Sequence, residues 1–149
     1  MVTQINSSTL YDTDFNLWIE ATVKQLKSGD FNEIDLDNLI EEIEAMGRSE
    51  KRELKSRLAI LIMHLLKWKY QGIKRSNSWL NTIREQRLQL SLLLQDSPSL
   101  KPLLEQEFEQ WYNYAKKEAA KETKLSLNTF PESCPFTIEM VLDSDFLPE

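Results

Sequence analysis

The chain has 149 residues, of which 41% are hydrophobic and 28% charged, so it is long enough to bury a core and too apolar to be disordered throughout. Its single cysteine excludes an intramolecular disulfide and a cysteine-based zinc site, and its three glycines and five prolines argue against a turn-rich all-β fold. No apolar run reaches the ~18 residues of a membrane helix, and the N-terminus lacks the basic and apolar regions of a signal peptide, which predicts a cytoplasmic protein without a membrane partner.

The net charge of −6 is unevenly distributed along the chain. Eleven basic and three acidic residues lie between Arg48 and Arg87, whereas seven basic and twenty-one acidic residues lie outside that segment. Such asymmetry indicates either acidic helices packed beside basic ones or a surface for an anionic partner, and we favour the first interpretation.

Apolar residues recur at helical spacing along almost the whole chain, which predicts an all-α helical bundle. The first helix, about 11–28, carries an apolar stripe, with Asp12 or Thr13 as its N-cap and Gly29 as its C-terminal stop. The members of that stripe are Tyr11, Phe15, Trp18, Ile19, Val23 and Leu26.

The second helix, about 35–70, keeps its apolar face in phase on both sides of Gly47. The pattern therefore leaves two possibilities, one continuous helix or two coaxial helices that meet near the glycine, because a mid-helix glycine costs only about 1 kcal/mol. A continuous helix would be ~52 Å long and would overhang its neighbours. The overhang would carry an apolar face made of Leu36, Leu39, Ile40, Ile43 and Met46.

The second half of the chain predicts two more long helices and a short one. The third helix covers about 78–95, with Ser76 or Ser78 as its cap, and the fourth covers about 98–123, with Ser97 as cap and Pro98 in the first helical position. A short C-terminal helix follows at about 136–142. We expect one helical domain over residues 1–149, with a short flexible N-terminus at about 1–8.

Seven segments, in this order, together resemble a known family, domain of unknown function family 29. They are "YDTDFNLW", "DLDNLIEEIEAMGRSEKRELKSRL", "LLKWKYQ", "SWLNTIREQR", "LLQDSPSL", "FPESCPFT" and "DSDFLPE". The resemblance extends from about Leu10 to Glu149. It implies an all-α fold and a bacterial, often cyanobacterial, cytoplasmic protein, and it implies no activity and no residue roles.

Four polar residues lie on stripes that should face the core. Glu50, Arg57 and His64 follow one another at seven-residue spacing along the edge of the apolar seam, and Arg87 shares the stripe of the third helix. Charges at such positions must be paired, hydrated or functional. We favour the structural interpretation, a network between helices such as Glu50 with Arg87, together with a hydrogen-bonded core histidine.

Arg57 and His64 also fit a catalytic hypothesis. Their spacing matches the loose Arg…His pattern of HEPN-type helical ribonucleases, in which the two residues act on an RNA phosphodiester without a metal at a dimer cleft. Arginine can hold a phosphate through two hydrogen bonds, and histidine titrates near neutral pH. HEPN proteins usually carry a further polar residue beside the arginine, where this chain has Leu58.

A third hypothesis is nucleic-acid binding by the basic, aromatic segment 67–87. Cations there could hold phosphates while aromatic rings stack on bases. The candidates are Lys67, Trp68, Lys69, Tyr70, Lys74, Arg75, Trp79 and Arg84. The sequence pI of 5.0 disfavours a general nucleic-acid binder, so this stays a minority hypothesis.

The remaining chemistry-bearing residues predict no metal and no cofactor. There is no Glu-x-x-His pair and no glycine-rich phosphate loop, and the acidic cluster Glu41, Glu42 and Glu44 is typical of a solvated helix start. We therefore favour a non-enzymatic interaction or regulatory module over an enzyme. We expect a homodimer or a protein partner, in which Glu41 and Glu44 of one long helix meet Arg48, Lys51 or Lys55 of another.

Overall fold

The computed structural model describes residues 7–149, and this range contains six α-helices and no strand. The all-α prediction is confirmed, with four long helices and a short one near the C-terminus. The helices are α1 (Ser7–Thr13), α2 (Phe15–Ser28), α3 (Leu36–Tyr70), α4 (Asn77–Asp96), α5 (Leu100–Thr123) and α6 (Ile138–Leu142). The flexible terminus expected at 1–8 lies outside the described residues up to residue 6, and Ser7 and Ser8 already belong to α1.

The predicted first helix is divided in two at Asp14. The Asp14 carboxylate accepts a hydrogen bond from the Leu17 backbone N–H at 3.1 Å and so caps α2, which makes the predicted caps at Asp12 or Thr13 wrong by one or two residues. The helix ends as predicted at Gly29, whose φ of +77° only glycine adopts without strain.

Helix α3 runs without a break from Leu36 to Tyr70, so the continuous alternative is the one observed. The chain forms two compact units, residues 1–49 and 50–149, and α3 belongs to both. The single domain predicted from the sequence stays a prediction.

The first unit has a small core centred on Trp18, which is only 3% exposed. The rings of Tyr11 and Phe15 pack on the Trp18 indole at centroid distances of 5.0 and 5.5 Å. The indole N–H donates to the Asp35 carboxylate at 3.2 Å, and the Tyr11 hydroxyl donates to Glu42. These contacts tie α1 and α2 to the start of α3.

The second unit contains the main apolar core. Residues from the second half of α3, from α4 and α5, and from the C-terminal segment are fully or almost fully buried there. They include Leu54, Leu58, Leu61, Leu65, Ile83, Leu90, Leu104, Tyr112, Phe130, Phe136 and Val141. Tyr112 on α5 donates its hydroxyl hydrogen to the Pro131 carbonyl, which attaches the C-terminal segment to the helices.

Hydrogen bonds explain where three helices of this unit begin. Ser76 caps α4 as predicted, since its hydroxyl accepts the Trp79 N–H at 3.2 Å. Ser97 does not cap α5, because its hydroxyl donates to Glu50 instead and its N–H closes the end of α4. Helix α5 therefore begins at Leu100 rather than at about 98. Thr137 caps α6, so this helix is shorter than the predicted 136–142.

Candidate functional site

The polar residues of the predicted seam each have a partner of their own. Glu50 accepts the Ser97 hydroxyl hydrogen. Arg57 donates through Nε to Glu53 at 2.8 Å and through Nη1 to the Gln86 amide oxygen at 3.3 Å. These bonds hold the C-terminal end of α4 and its middle against α3.

Arg87 is the most deeply buried charged side chain of the candidates, at 6% exposure. Its guanidinium donates to the backbone oxygens of Val141 at 2.8 Å and Met140 at 3.3 Å. The predicted pair of Glu50 with Arg87 is wrong, because the last carbonyls of α6 take up the guanidinium. Burial lowers the pKa of Arg87, and the nearby Asp143 carboxylate partly opposes that effect.

His64 donates from Nδ1 to the backbone oxygen of Ile60 at 2.8 Å, since a carbonyl oxygen can only accept. Burial is the largest cause that lowers its pKa, Lys67 adds to the lowering, and the Ile60 carbonyl and Glu122 act in the opposite direction. Burial therefore favours the neutral form of the ring. No hydrogen bond between described residues joins His64 to Arg57, and the two lie about 10 Å apart along the helix axis.

The aromatic rings of the basic segment are covered by side chains of the same chain. Lys67 is buried between Glu122, at 2.9 Å, and the face of Trp79, at 4.6 Å from the ring centroid. Arg75 lies 5.0 Å from the centroid of Trp68 and donates to the Trp68 carbonyl at 2.8 Å.

Tyr70 packs edge to face on Phe130 at 5.4 Å, and burial raises the pKa of its phenol. Lys69 lies 5.9 Å from the centroid of the Tyr70 ring. Lys69, Lys74, Arg75 and Arg84 are the exposed cations of this segment, and they lie on α3, on the turn Gly72–Lys74, directly after that turn and on α4. The segment thus offers separate surface charges, while the rings of Trp68 and Tyr70 pack against the apolar core.

A groove between α3 and α5 was missed by the sequence analysis. It has a volume of about 560 Å³, and both the α3 and the α5 side contribute charged residues above an apolar floor. The lining residues are Arg52, Lys55, Ser56, Ala59, Ile60, Met63, Tyr114, Glu118 and Glu122. The only hint in the sequence is the small residue Ala59 on the buried face, because a groove depends on the separation of two helices that are far apart in the chain.

The first unit leaves most of its large apolar side chains exposed. Along α3, Leu36, Ile43 and Met46 are 59%, 58% and 66% exposed, and Ile40 lies on the same face; we call these four residues the α3 strip. Along α2, the exposed apolar residues at helical spacing are Phe15, Ile19, Val23 and Leu26, which we call the α2 strip. The two strips together form the hairpin surface.

The α3 strip corresponds to the apolar face predicted for the overhang, except that Leu39 is half-buried. Of the apolar stripe predicted on the first helix, Trp18 is buried, Tyr11 is half-buried and the other four residues are exposed. The cause is geometrical, since one neighbouring helix can cover only the Trp18 and Thr22 side of α2.

Residues 7–149 contain neither a cluster of metal-binding side chains nor a helix suited to cross a membrane. No group of three or more His, Cys, Asp or Glu side chains is close enough to hold a metal ion in this range. In the same range, no helix combines the length and the apolar character that crossing a bilayer requires.

Comparison with known proteins gives one match. A family model described as "Domain of unknown function DUF29" matches residues 10–147, which is nearly the whole chain. The comparisons with curated proteins and with solved structures gave no match.

Proposed function

Since the chain belongs to the DUF29 family, which is defined without an activity, we propose from its own surface that it is a non-enzymatic protein-interaction module acting through the hairpin surface. The observation that carries this proposal is the distribution of exposed apolar side chains. Ten of the sixteen large hydrophobic residues exposed among the described residues lie between Phe15 and Met46, in about a fifth of the chain. A concentration of this kind is typical of an interaction site rather than of scattered surface residues.

The small core of the first unit supports the same proposal. Trp18 is the only buried apolar side chain among the described residues of this unit, so α2 and the first half of α3 bury little of the apolar area that they carry. Two helices that share so small a core gain stability when a partner covers their remaining apolar faces. A partner would thus both bind this unit and complete its core.

The ribonuclease hypothesis is less well supported. It requires Arg57 and His64 to face one phosphate, whereas the Arg57 guanidinium is engaged by Glu53 and Gln86, and His64 Nδ1 by Ile60. For nucleic-acid binding, stacking on Trp68 or Trp79 would first have to displace Arg75 or Lys67. Both hypotheses, like the cytoplasmic location, stay predictions.

The interaction proposal can be tested by methionine oxidation in cells. Met46, on the hairpin surface, is 66% exposed, whereas Met63 is half-buried beneath the α3–α5 groove and serves as an internal reference. Cells that express the protein and a dilute purified sample would be treated with hydrogen peroxide, and the sulfoxide fraction at each methionine measured by mass spectrometry.

We expect Met46 to be oxidised several-fold more slowly in cells than in the dilute sample, relative to Met63, because a bound partner shields the thioether. An unchanged ratio would overturn the proposal. A change at Met63 alone would instead direct attention to the groove and would equally count against the hairpin surface.

A further inference from the structure

We propose that the partner on the hairpin surface is a second copy of this chain, and that two hairpins pair in antiparallel fashion about a two-fold axis beside Ile43. The pairing would place the first halves of α3 from two copies side by side, each with its own α2 attached. This inference rests on the proposed function and adds to it the identity and the orientation of the partner. Three independent features of the first unit carry it.

The first feature is the length of the exposed apolar face along α3. The α3 strip extends from Leu36 to Met46, which is about 15 Å of helix, and each of its four residues is at least 46% exposed. An identical strip turned end for end can cover this face along its full length. Two helices with apolar strips of this kind gain stability when they pack against each other.

The second feature is the charge order along the part of α3 that lies in the first unit. The four acidic residues of this part, Asp37, Glu41, Glu42 and Glu44, all precede its one basic residue, Arg48. Antiparallel pairing brings the acidic start of each copy level with the Arg48 end of the other, whereas parallel pairing would bring the acidic starts level with each other. In the single chain, Arg48 bonds Glu41 at 2.9 Å in its own helix, with both side chains more than half exposed, so it is free to exchange partners.

The third feature is Gly47. This glycine lies inside a continuous helix, where it lowers stability relative to alanine, and a Cβ atom added there would meet no atom within 4 Å. None of the described residues therefore requires a glycine at this position. On the helical wheel, Gly47 falls between Ile43 and Ile40, within the α3 strip. A glycine there lets the backbone of a second helix approach closely.

Antiparallel pairing about Ile43 fixes the distances between equivalent residues of the two copies, and cysteine cross-linking can test those distances. The two copies of residue 43 face each other across the axis, whereas the two copies of Leu36 are separated by about 21 Å. A disulfide requires Cα atoms within about 7 Å. Ile43→Cys should therefore cross-link to itself, and Leu36→Cys, which is equally exposed at 59% against 58%, is the matched control.

Both variants would be made in a Cys134→Ser background, which removes the one natural thiol, and oxidised at micromolar concentration. We expect covalent dimer from Ile43→Cys at a yield at least about ten-fold above that from Leu36→Cys. Equal linking of both variants would overturn the antiparallel geometry, because parallel pairing brings every residue beside its own equivalent.

Linking of neither variant would overturn self-association. If Met46 is nevertheless protected in cells, the hairpin surface binds another protein and the proposed function survives without this inference. If Met46 is not protected in cells either, both proposals fail together. The two measurements thus separate the failure of the partner assignment from the failure of the interaction surface.

Discussion

Arg87 and His64 are two polar side chains on core-facing stripes that are satisfied by backbone carbonyls rather than by charged side chains. The Arg87 guanidinium closes the last turn of α6, and the His64 ring bonds the preceding turn of its own helix. Such partners leave no pattern in a sequence, because every residue carries the same carbonyl group. This explains why the need for a partner could be predicted at both positions while the partner itself could not.

Replacing Arg87 by alanine should destabilise the protein strongly. The change leaves the carbonyls of Val141 and Met140 without their buried donor and removes packing beneath α6, which together should cost about 2–4 kcal/mol. Urea unfolding followed by circular dichroism would measure the loss. Arg84→Ala, on the exposed side of the same helix, is the control and should change the free energy of unfolding by less than about 0.5 kcal/mol. Similar losses in both variants would mean that the Arg87 bonds to Val141 and Met140 contribute no particular stability.

The lowered pKa of His64 predicts less stability in acid. Because burial disfavours the charged ring, the unfolded chain binds a proton more readily than the folded one, so stability falls as the pH drops below the ordinary value of 6.5. Unfolding free energies measured at intervals from about pH 8 to about pH 5 should decline more steeply for the native protein than for His64→Gln, which cannot titrate. Parallel curves would mean that His64 has the same pKa in the folded and the unfolded chain, and they would contradict the lowered pKa.

At the scale of single helices, most of the secondary structure was predictable because the apolar phase is strong. Helix α3 spans 35 residues with one unbroken phase, and α4 begins at the cap that its sequence indicates. The errors lie at Asp14 and Ser97, where one of several adjacent capping residues had to be chosen. Which hydroxyl or carboxylate caps a helix depends on its other hydrogen bonds, and for Ser97 that bond is to Glu50, 47 residues away.

The cap of α2 can be tested against the one that the sequence suggested. Asp14→Ala should cost about 1 kcal/mol, because the Leu17 N–H loses its acceptor. Asp12→Ala removes an equally acidic side chain from the end of α1 and should have a smaller effect. Thermal unfolding of the two variants gives the comparison, and a larger loss from Asp12→Ala would place the helix start where the sequence analysis had it.

Gly47→Ala should separate the stability of the helix from the association of two copies. In dilute solution the variant should be more stable by about 1 kcal/mol, since alanine favours a helix and the added methyl group meets nothing. At higher concentration, the methyl group would lie between paired helices and weaken their association. Thermal unfolding and analytical ultracentrifugation would be run on the same samples. Increased stability with unchanged association would remove Gly47 from the interface.

At the scale of the whole molecule, the two units differ in how much apolar surface they bury. The core of the second unit contains nearly all of the fully buried residues, and the first unit contains most of the exposed large ones. The α3 strip could be predicted because the apolar face of this helix continues past the length that the other predicted helices could cover. The exposure of the α2 strip and the α3–α5 groove could not be predicted, because both depend on which helix faces are covered in three dimensions.

Light scattering should give a mass near twice the chain mass of 17.5 kDa at micromolar concentration. Ile43→Glu places a charge at the centre of the proposed contact and should return the mass to that of one chain. Leu88→Glu, at a residue 54% exposed on α4, is a matched change outside the hairpin surface and should leave the dimer intact. A single-chain mass for the unmodified protein at low salt and high concentration would rule the dimer out.

Helix α6 has only five residues, and a helix of that length would normally fray within the folded state. Here, its Val141 side chain is fully buried and its final carbonyls bind a guanidinium that is itself almost buried. Local opening of α6 would expose the Val141 side chain and remove both hydrogen-bond acceptors of Arg87. Its free-energy cost would therefore be close to that of unfolding the second unit. The Val141 amide donates to the Thr137 carbonyl, and its hydrogen should therefore exchange with solvent deuterium as slowly as amides in the middle of α5. The shortest helix should thus belong to the most protected cooperative unit of the chain.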